Sequence, residues 1–361
     1  MLGGFAAAFA IIFFVTAHEA GHFLAAKATG MKATEFFFGF GPRIWSTKRG
    51  ETEYGLKAIP LGGYVRIIGM NPLEEVAAED MGRTYREKKF WEKSVVVLAG
   101  VGTNFLLAFV MFYGLVLANG VPGDLLPVVG AVVEDSPAAA AGLIAADRFV
   151  AIDGDPIGDW ESIPAKFAEI GPGTATLTVE RGGSTLTIEV VLGESETVPG
   201  SGHLGVYPLR AREMVGPFVG VGVAGQLVGG GVSDTFDTLG QMLRPSSLAR
   251  YLGVLVGNTD IPDDIRPVSP IGIVAIGSQT SDNMALFIGI LAHVNVILAT
   301  INLLPLFPLD GGHFAVALYE KVSGRQANIR KLIPVATTVI GIFLFLGLVA
   351  IVLDIANPIN L

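Results

Sequence analysis

The residues His18-Glu19-Ala20-Gly21-His22 set two histidines four positions apart with a glutamate beside the first. On an α-helix that spacing puts both imidazoles on one face, one turn apart, where two nitrogens can reach a single tetrahedral cation. Glu19 is offset from the pair and suits the role of general base toward a water at the cation. A hydrolytic site of this kind uses three protein ligands and keeps one position open. The chain has no cysteine, which excludes disulfides, thiol nucleophiles, iron-sulfur clusters and thiolate-bound zinc. A third ligand must therefore be His, Asp or Glu, a donor set that suits Zn2+ and several other divalent metals.

The elements that carry these residues are apolar. The 361 residues are 51% hydrophobic and 16% charged, with a mean hydropathy of +0.58, against about 25% charged in a soluble domain. A bilayer core of about 30 Å needs roughly 20 apolar residues in one helix. Segments 1–27, 95–118, 284–309 and 333–353 meet that requirement, which predicts a multi-pass α-helical membrane protein with four spans. Val15-Thr16-Ala17 looks like a signal-peptide cleavage site, but no basic segment precedes it and the apolar run has the length of a span. Three ionisable residues inside the first span are costly to insert, which marks them as functional. Met214–Ser233 is uncharged too, yet its seven glycines and Gln226 predict a helix on the membrane surface or against the bundle. Net charge is -9 with no block of basic residues, so a nucleic-acid partner is excluded.

Charge in the connections orients the spans. Residues 27–94 hold 12 Lys/Arg and 9 Asp/Glu, residues 119–283 hold 8 and 20, and the loop expected at 310–332 holds 4 and 2. The first and third connections are the basic ones and are expected on the cytoplasmic side, the acidic one outside. His18 then lies near the cytoplasmic end of the first span, about 24 Å from Leu2 at 1.5 Å per residue. The third span also runs inward and ends at Asn302-Leu-Leu-Pro305-Leu-Phe-Pro308-Leu309-Asp310. Pro305 and Pro308 interrupt a helix, so the backbone opens just before Asp310, at the depth of the two histidines. Asp310 is the expected third ligand. Asn302, about two turns earlier, can bind a substrate main chain or steady an oxyanion; an interhelical hydrogen bond is its plainer role. His313 is a weaker ligand candidate, His293 reads as a packing residue, and His203 as a surface residue.

Taken together, the chain resembles the site-2 protease family of intramembrane zinc metalloproteases, in the bacterial branch of regulator of sigma-E proteases and especially its actinobacterial members. The resemblance rests on His18 to His22, on Gly39-Phe-Gly41-Pro42 with Pro60-Leu61-Gly62-Gly63-Tyr64-Val65, on Ala99-Gly100 with Asn104-Phe105, and on Asn302 to Gly311. Val101 departs from the proline frequent in the family at that position. The resemblance implies His18, His22 and Asp310 as zinc ligands, Glu19 as catalytic base, Asn302 in substrate handling, and a membrane-associated β element on the cytoplasmic side within 28–94. Alternation in Thr52–Ile59 and Tyr64–Ile68, with a turn at Lys48–Glu51, agrees with that element, and its edge could hold a substrate strand.

Residues 127–208 read as a small β-rich domain: strands near Val129–Val133, Phe149–Asp153, Thr174–Glu180, Thr185–Val191 and Leu204–Tyr207, with helices after Ser136 and near Glu161–Ala168. The run from Ser136 to Gly154 resembles a PDZ domain, outside the membrane. Residues 209–283 read only as a linker or clamp at the membrane surface. The function expected is a zinc-dependent intramembrane endopeptidase in a bacterial cytoplasmic membrane. The resemblance implies single-span substrates of the anti-sigma-factor type, already cut outside the membrane. The alternative is a non-catalytic membrane scaffold with a structural metal and a peptide-binding PDZ domain. Structural zinc closes all four positions with protein ligands, which disfavours it. A zinc transporter is disfavoured because the ionisable groups sit at one depth.

Overall fold

The computed structural model describes residues 2–71, 74–195 and 198–359, so the first residue of the expected 1–27 segment lies outside the described residues. Two compact units divide the chain: Met1–Leu115 with Pro217–Leu361, and the inserted Val116–Gly216.

The first unit opens with α1 (Leu2–Ala28), β1 (Ala33–Arg49), β2 (Thr52–Ile67) and α2 (Phe90–Asn119). The second holds β3 (Val121–Val132), α3 (Pro137–Ala140), β4 (Arg148–Ile152), β5 (Asp155–Pro156), α4 (Ser162–Ile170), β6 (Gly173–Arg181), β7 (Ser184–Glu194), β8 (Gly202–His203) and β9 (Val206–Glu213). The chain then returns to the first unit with α5 (Pro217–Met242), α6 (Pro245–Val254), α7 (Pro270–Gln279), α8 (Met284–Leu303), α9 (Asp310–Ser323) and α10 (Ile329–Ala356). Among the described residues, α1, α2, α8 and α10 are long and apolar enough to cross a membrane, which fits a multi-pass membrane protein. The glycine-rich α5 does not meet that standard; it packs on α8, with Ala224 buried beside Ala108, Phe112 and Val296.

The third span differs from the sequence expectation. It stops at Leu303 rather than 309, because Pro305 disfavours helical backbone at the residue before it and Pro308 prolongs the break. The stretch expected as a loop from 310 to 332 instead begins with α9, whose acidic first turn suits a helix N-terminus. Gly324, left-handed at φ +66°, ends it and donates its N–H to Glu320 O at 3.0 Å. The reversal between α8 and α9 is tight enough to demand glycine: a Cβ on Gly311 would stand 2.0 Å from the Leu303 carbonyl oxygen.

The two strands β1 and β2 each bend. Phe36 pairs with both Tyr54 and Val65, and Phe37 with both Gly55 and Tyr64, while Arg43 to Arg49 pair with Lys57 to Thr52. The first half of β1 is therefore central, flanked by the two halves of β2, and residues 63–67 form an outer edge. The expected pieces Thr52–Ile59 and Tyr64–Ile68 are the two arms of one bent strand, and the expected turn joins it to β1.

Residues 209–283 prove largely helical. Their α7 is capped by Ser269, whose Oγ accepts the Ile271 N–H at 3.1 Å, and it packs closely on α1, where a Cβ on Gly3 would meet Gly277 O at 2.2 Å. In the second unit, seven strands form a sheet ordered β8-β7-β6-β4-β3-β9 with β5 on β4. Its alternating inward residues, including Phe149, Ile152, Leu177 and Val190, join Ile163 and Phe167 of α4 in one apolar core. Buried Asp147 takes two hydrogen bonds of 2.7 Å from Arg181.

Candidate active site

Three ligand atoms converge. His18 Nε2 and His22 Nε2 lie 3.1 Å apart and stand 3.1 and 3.2 Å from Asp310 Oδ2. His22 Nδ1 lies 2.8 Å from the Val96 carbonyl oxygen, an acceptor, so Nδ1 carries the proton and Nε2 presents a lone pair to the cluster. Asp310 Oδ2 is buried without a well-formed hydrogen bond. Electron-rich atoms this close repel one another unless a cation sits among them. Bonds of 2.0–2.2 Å to a tetrahedral zinc would set neighbouring ligands about 3.3 Å apart, close to the spacing observed. The donor set thus fits zinc with one position left open. Among the described residues this is the one group of three His, Asp or Glu side chains close enough to share an ion.

Each neighbouring element has a reason to be there. The α2 helix approaches α1 where both are small: a Cβ on Gly21 would meet Thr103 Oγ1 at 2.5 Å, and one on Gly100 would meet His22 Nε2 at 2.3 Å. Gly100 thus vacates the space the imidazole fills. From β2, the Val65 N–H donates to Glu19 Oε2 at 3.1 Å, so the outer edge of the sheet holds the glutamate. That edge is itself anchored. Tyr64 donates to Glu35 and accepts from Lys57 Nζ at 2.8 Å, while Arg66 bridges Glu35 and Glu74 at 3.0 and 2.8 Å. Partial burial opposes ionisation of Glu35, but the Tyr64 and Arg66 hydrogen bonds outweigh it and hold its carboxyl below the usual range. At the end of α1, hydrogen bonds from Arg83 and Lys27 hold Glu51 down at about 2.

All five residues singled out from the sequence, His18, Glu19, His22, Asn302 and Asp310, line one cavity of about 370 Å³. Tyr64, Val65 and Asn104 line it as well. His313 reaches it from α9, but its ring packs 4.8 Å from that of Phe307 and it stands outside the three-ligand group. Burial keeps His313 below its ordinary pKa. His293 bonds within α8 to Gly289 O at 2.9 Å and meets the Phe112 ring edge-on at 4.9 Å, while His203 is exposed on β8. In the sequence, Val65, Gly100 and Asn104 stood out only as parts of the resembling motifs, with no individual role, and Val96 not at all. Val65 and Val96 act through backbone atoms, which leave no mark on residue type; Gly100 and Asn104 share the i, i+4 spacing of one helix face with Val96.

The fold and this site define a membrane-embedded metallopeptidase. A model of peptidase family M50 matches residues 6–357, and the chain belongs to that family, the site-2 proteases. Over 400 aligned residues it is 33% identical to the zinc metalloprotease Rip1 of Mycobacterium bovis, covering 98% of this chain and 97% of that one. Rip1 of Mycolicibacterium smegmatis is 31% identical over 401 residues, at the same coverage. A putative zinc metalloprotease of Clostridium perfringens is 30% identical over 359 residues, 96% of each chain. The protein is a zinc metalloprotease of the site-2 type.

Proposed function

We propose that the chain is an endopeptidase of a bacterial cytoplasmic membrane that cuts within the membrane-spanning segment of single-span proteins of the anti-sigma-factor type, after an earlier cut on the extracytoplasmic side. His18, His22 and Asp310 hold the metal, Glu19 is the catalytic base, and Asn302 binds the substrate main chain. The site faces the cytoplasmic side, where the basic connections lie. Residues 127–208 form a PDZ domain on the other side that excludes bulky, uncut substrates. The observation that carries this reading is the meeting of three metal-binding atoms from two segments almost 300 residues apart, with Glu19 in the same cavity.

When bound, zinc supplies Lewis acidity, polarising a carbonyl and bringing the pKa of a coordinated water to about 7. Glu19, steadied through Oε2 by Val65 N–H, takes the proton from the attacking water and returns it to the amide nitrogen as the C–N bond breaks. Asn302 orients the main chain. Helical peptide bonds are shielded, so the substrate must unwind before attack, and Tyr64 and Val65 of the outer strand edge border the cavity with main chain suited to an extended strand.

Purified wild type and Glu19→Gln, both assayed for zinc, are to be tested on a tagged single-span substrate truncated on its outer side. The reading expects cleavage by wild type and a fall of about 10²–10⁴-fold in Glu19→Gln with zinc retained. Equal cleavage by the variant would remove Glu19 from the chemistry; no cleavage of several truncated spans by wild type would overturn the substrate class.

A further inference from the structure

Asn104 has no role in the mechanism above, yet it lines the same cavity as the metal-binding atoms. It is 1% exposed, and its carboxamide oxygen is fully buried without a hydrogen-bond partner. A buried carboxamide oxygen left without a donor costs stability, so such a group in a native site calls for a partner that arrives later. Its place on α2 is informative. Val96, Gly100 and Asn104 follow one another at four-residue steps on a single helix face. The Val96 carbonyl holds His22, and Gly100 makes room for the His22 ring. The next position on that stripe is the first to present a polar side chain to the cavity.

We propose that Asn104 is a substrate-binding residue: its carboxamide takes a main-chain N–H or C=O of the unwound substrate next to the scissile bond. A peptide backbone is the matching chemistry, because an unwound segment carries unpaired donors and acceptors and an amide offers both. Asn302 on α8 borders the same cavity from a different helix, so the two carboxamides grip the extended chain from two sides. The arrangement binds main chain rather than side chains. This inference rests on the peptidase reading, and its test separates the two.

The chain contains no cysteine, so Asn104→Cys introduces a single thiol. In a Glu19→Gln background, that variant is to be cross-linked by mild oxidation to single-span substrates carrying one cysteine scanned along the span. Disulfide formation confined to positions within about one turn of the scissile bond is expected. No cross-link, or one spread evenly along the span, would overturn the proposal. In parallel, Asn104→Leu, which keeps side-chain size, is to be compared with wild type for zinc content, melting temperature, kcat and KM. Retained zinc and melting with kcat/KM down about 10–100-fold is expected, and Asn104→Gln should recover part of the loss. Unchanged kinetics, or loss of zinc in Asn104→Leu, would overturn it in favour of a structural role. If wild type cuts no span while the cross-link still forms at one stretch of the span, the reading of the substrate class fails and the binding site stands.

Discussion

The two units of this protein treat buried polar groups in opposite ways. In Val116–Gly216 the core is apolar, and its buried charge, Asp147, is matched by Nε and Nη2 of Arg181, one to each carboxylate oxygen. Among the described residues, every buried side-chain atom without a hydrogen-bond partner lies in the other unit: in His18, Tyr85, Asn104, Arg266, Asn295 and Asp310. Half of these residues line the cavity at the metal-binding cluster. One unit satisfies its own buried polar groups; the other leaves several unsatisfied, three of them at the cavity where His18, His22 and Asp310 meet. The contrast teaches where the chemistry is, since an unsatisfied buried group costs stability unless function repays it.

Substitutions can break that contrast from either side. The largest effect is expected from Gly100→Val, whose side chain would occupy the space of the His22 ring. Zinc affinity should fall about 10–100-fold, with proteolysis lost, as read by metal titration and cleavage. In the second unit, Asp147→Asn should destabilise that unit by about 2–3 kcal/mol, seen as earlier local unfolding by hydrogen exchange, with one zinc per chain retained. Loss of zinc in Asp147→Asn would show that the units are not independent in this respect.

The smallest effect concerns Glu51. Its folded pKa of about 2 lies below the unfolded value of about 4.3. The link to Arg83 and Lys27 therefore adds stability above about pH 4.3 and loses it as pH falls toward 2. Glu51→Gln should melt about 1–3 °C below wild type at pH 7, and the gap should close between pH 4.3 and 2. A gap that persists at the acid end would contradict the assignment.

Much of the site was legible in the sequence because its chemistry is costly. Ionisable residues inside an apolar helix have few reasons to be there, so His18, Glu19 and His22 announced themselves. Pro305 and Pro308 marked the break that brings Asp310 to the same place. The spans followed from hydropathy, and β4, β6 and β7 of the second unit matched the strands expected, whereas β3 starts eight residues earlier and β9 runs six residues further than expected, and the short β5 and β8 were missed. What escaped was positional. The α9 helix was hidden behind Gly311 and Gly312, poor helix formers that the tight reversal requires. The long β1 strand, with its run of aromatics and interrupting glycines, has no clean alternation because it is bent and paired on both sides over its first half. Backbone partners such as Val65 N–H and Val96 C=O depend on where the chain passes, which residue identity does not encode.

We propose that Asp310, almost 300 residues from His18, completes the metal site with the two histidines. Zinc per chain in purified wild type, Asp310→Ala and His313→Ala, measured by inductively coupled plasma mass spectrometry, tests it most directly. One zinc in wild type and His313→Ala, with most of it lost from Asp310→Ala, is the result predicted. A full equivalent retained in Asp310→Ala would contradict the account.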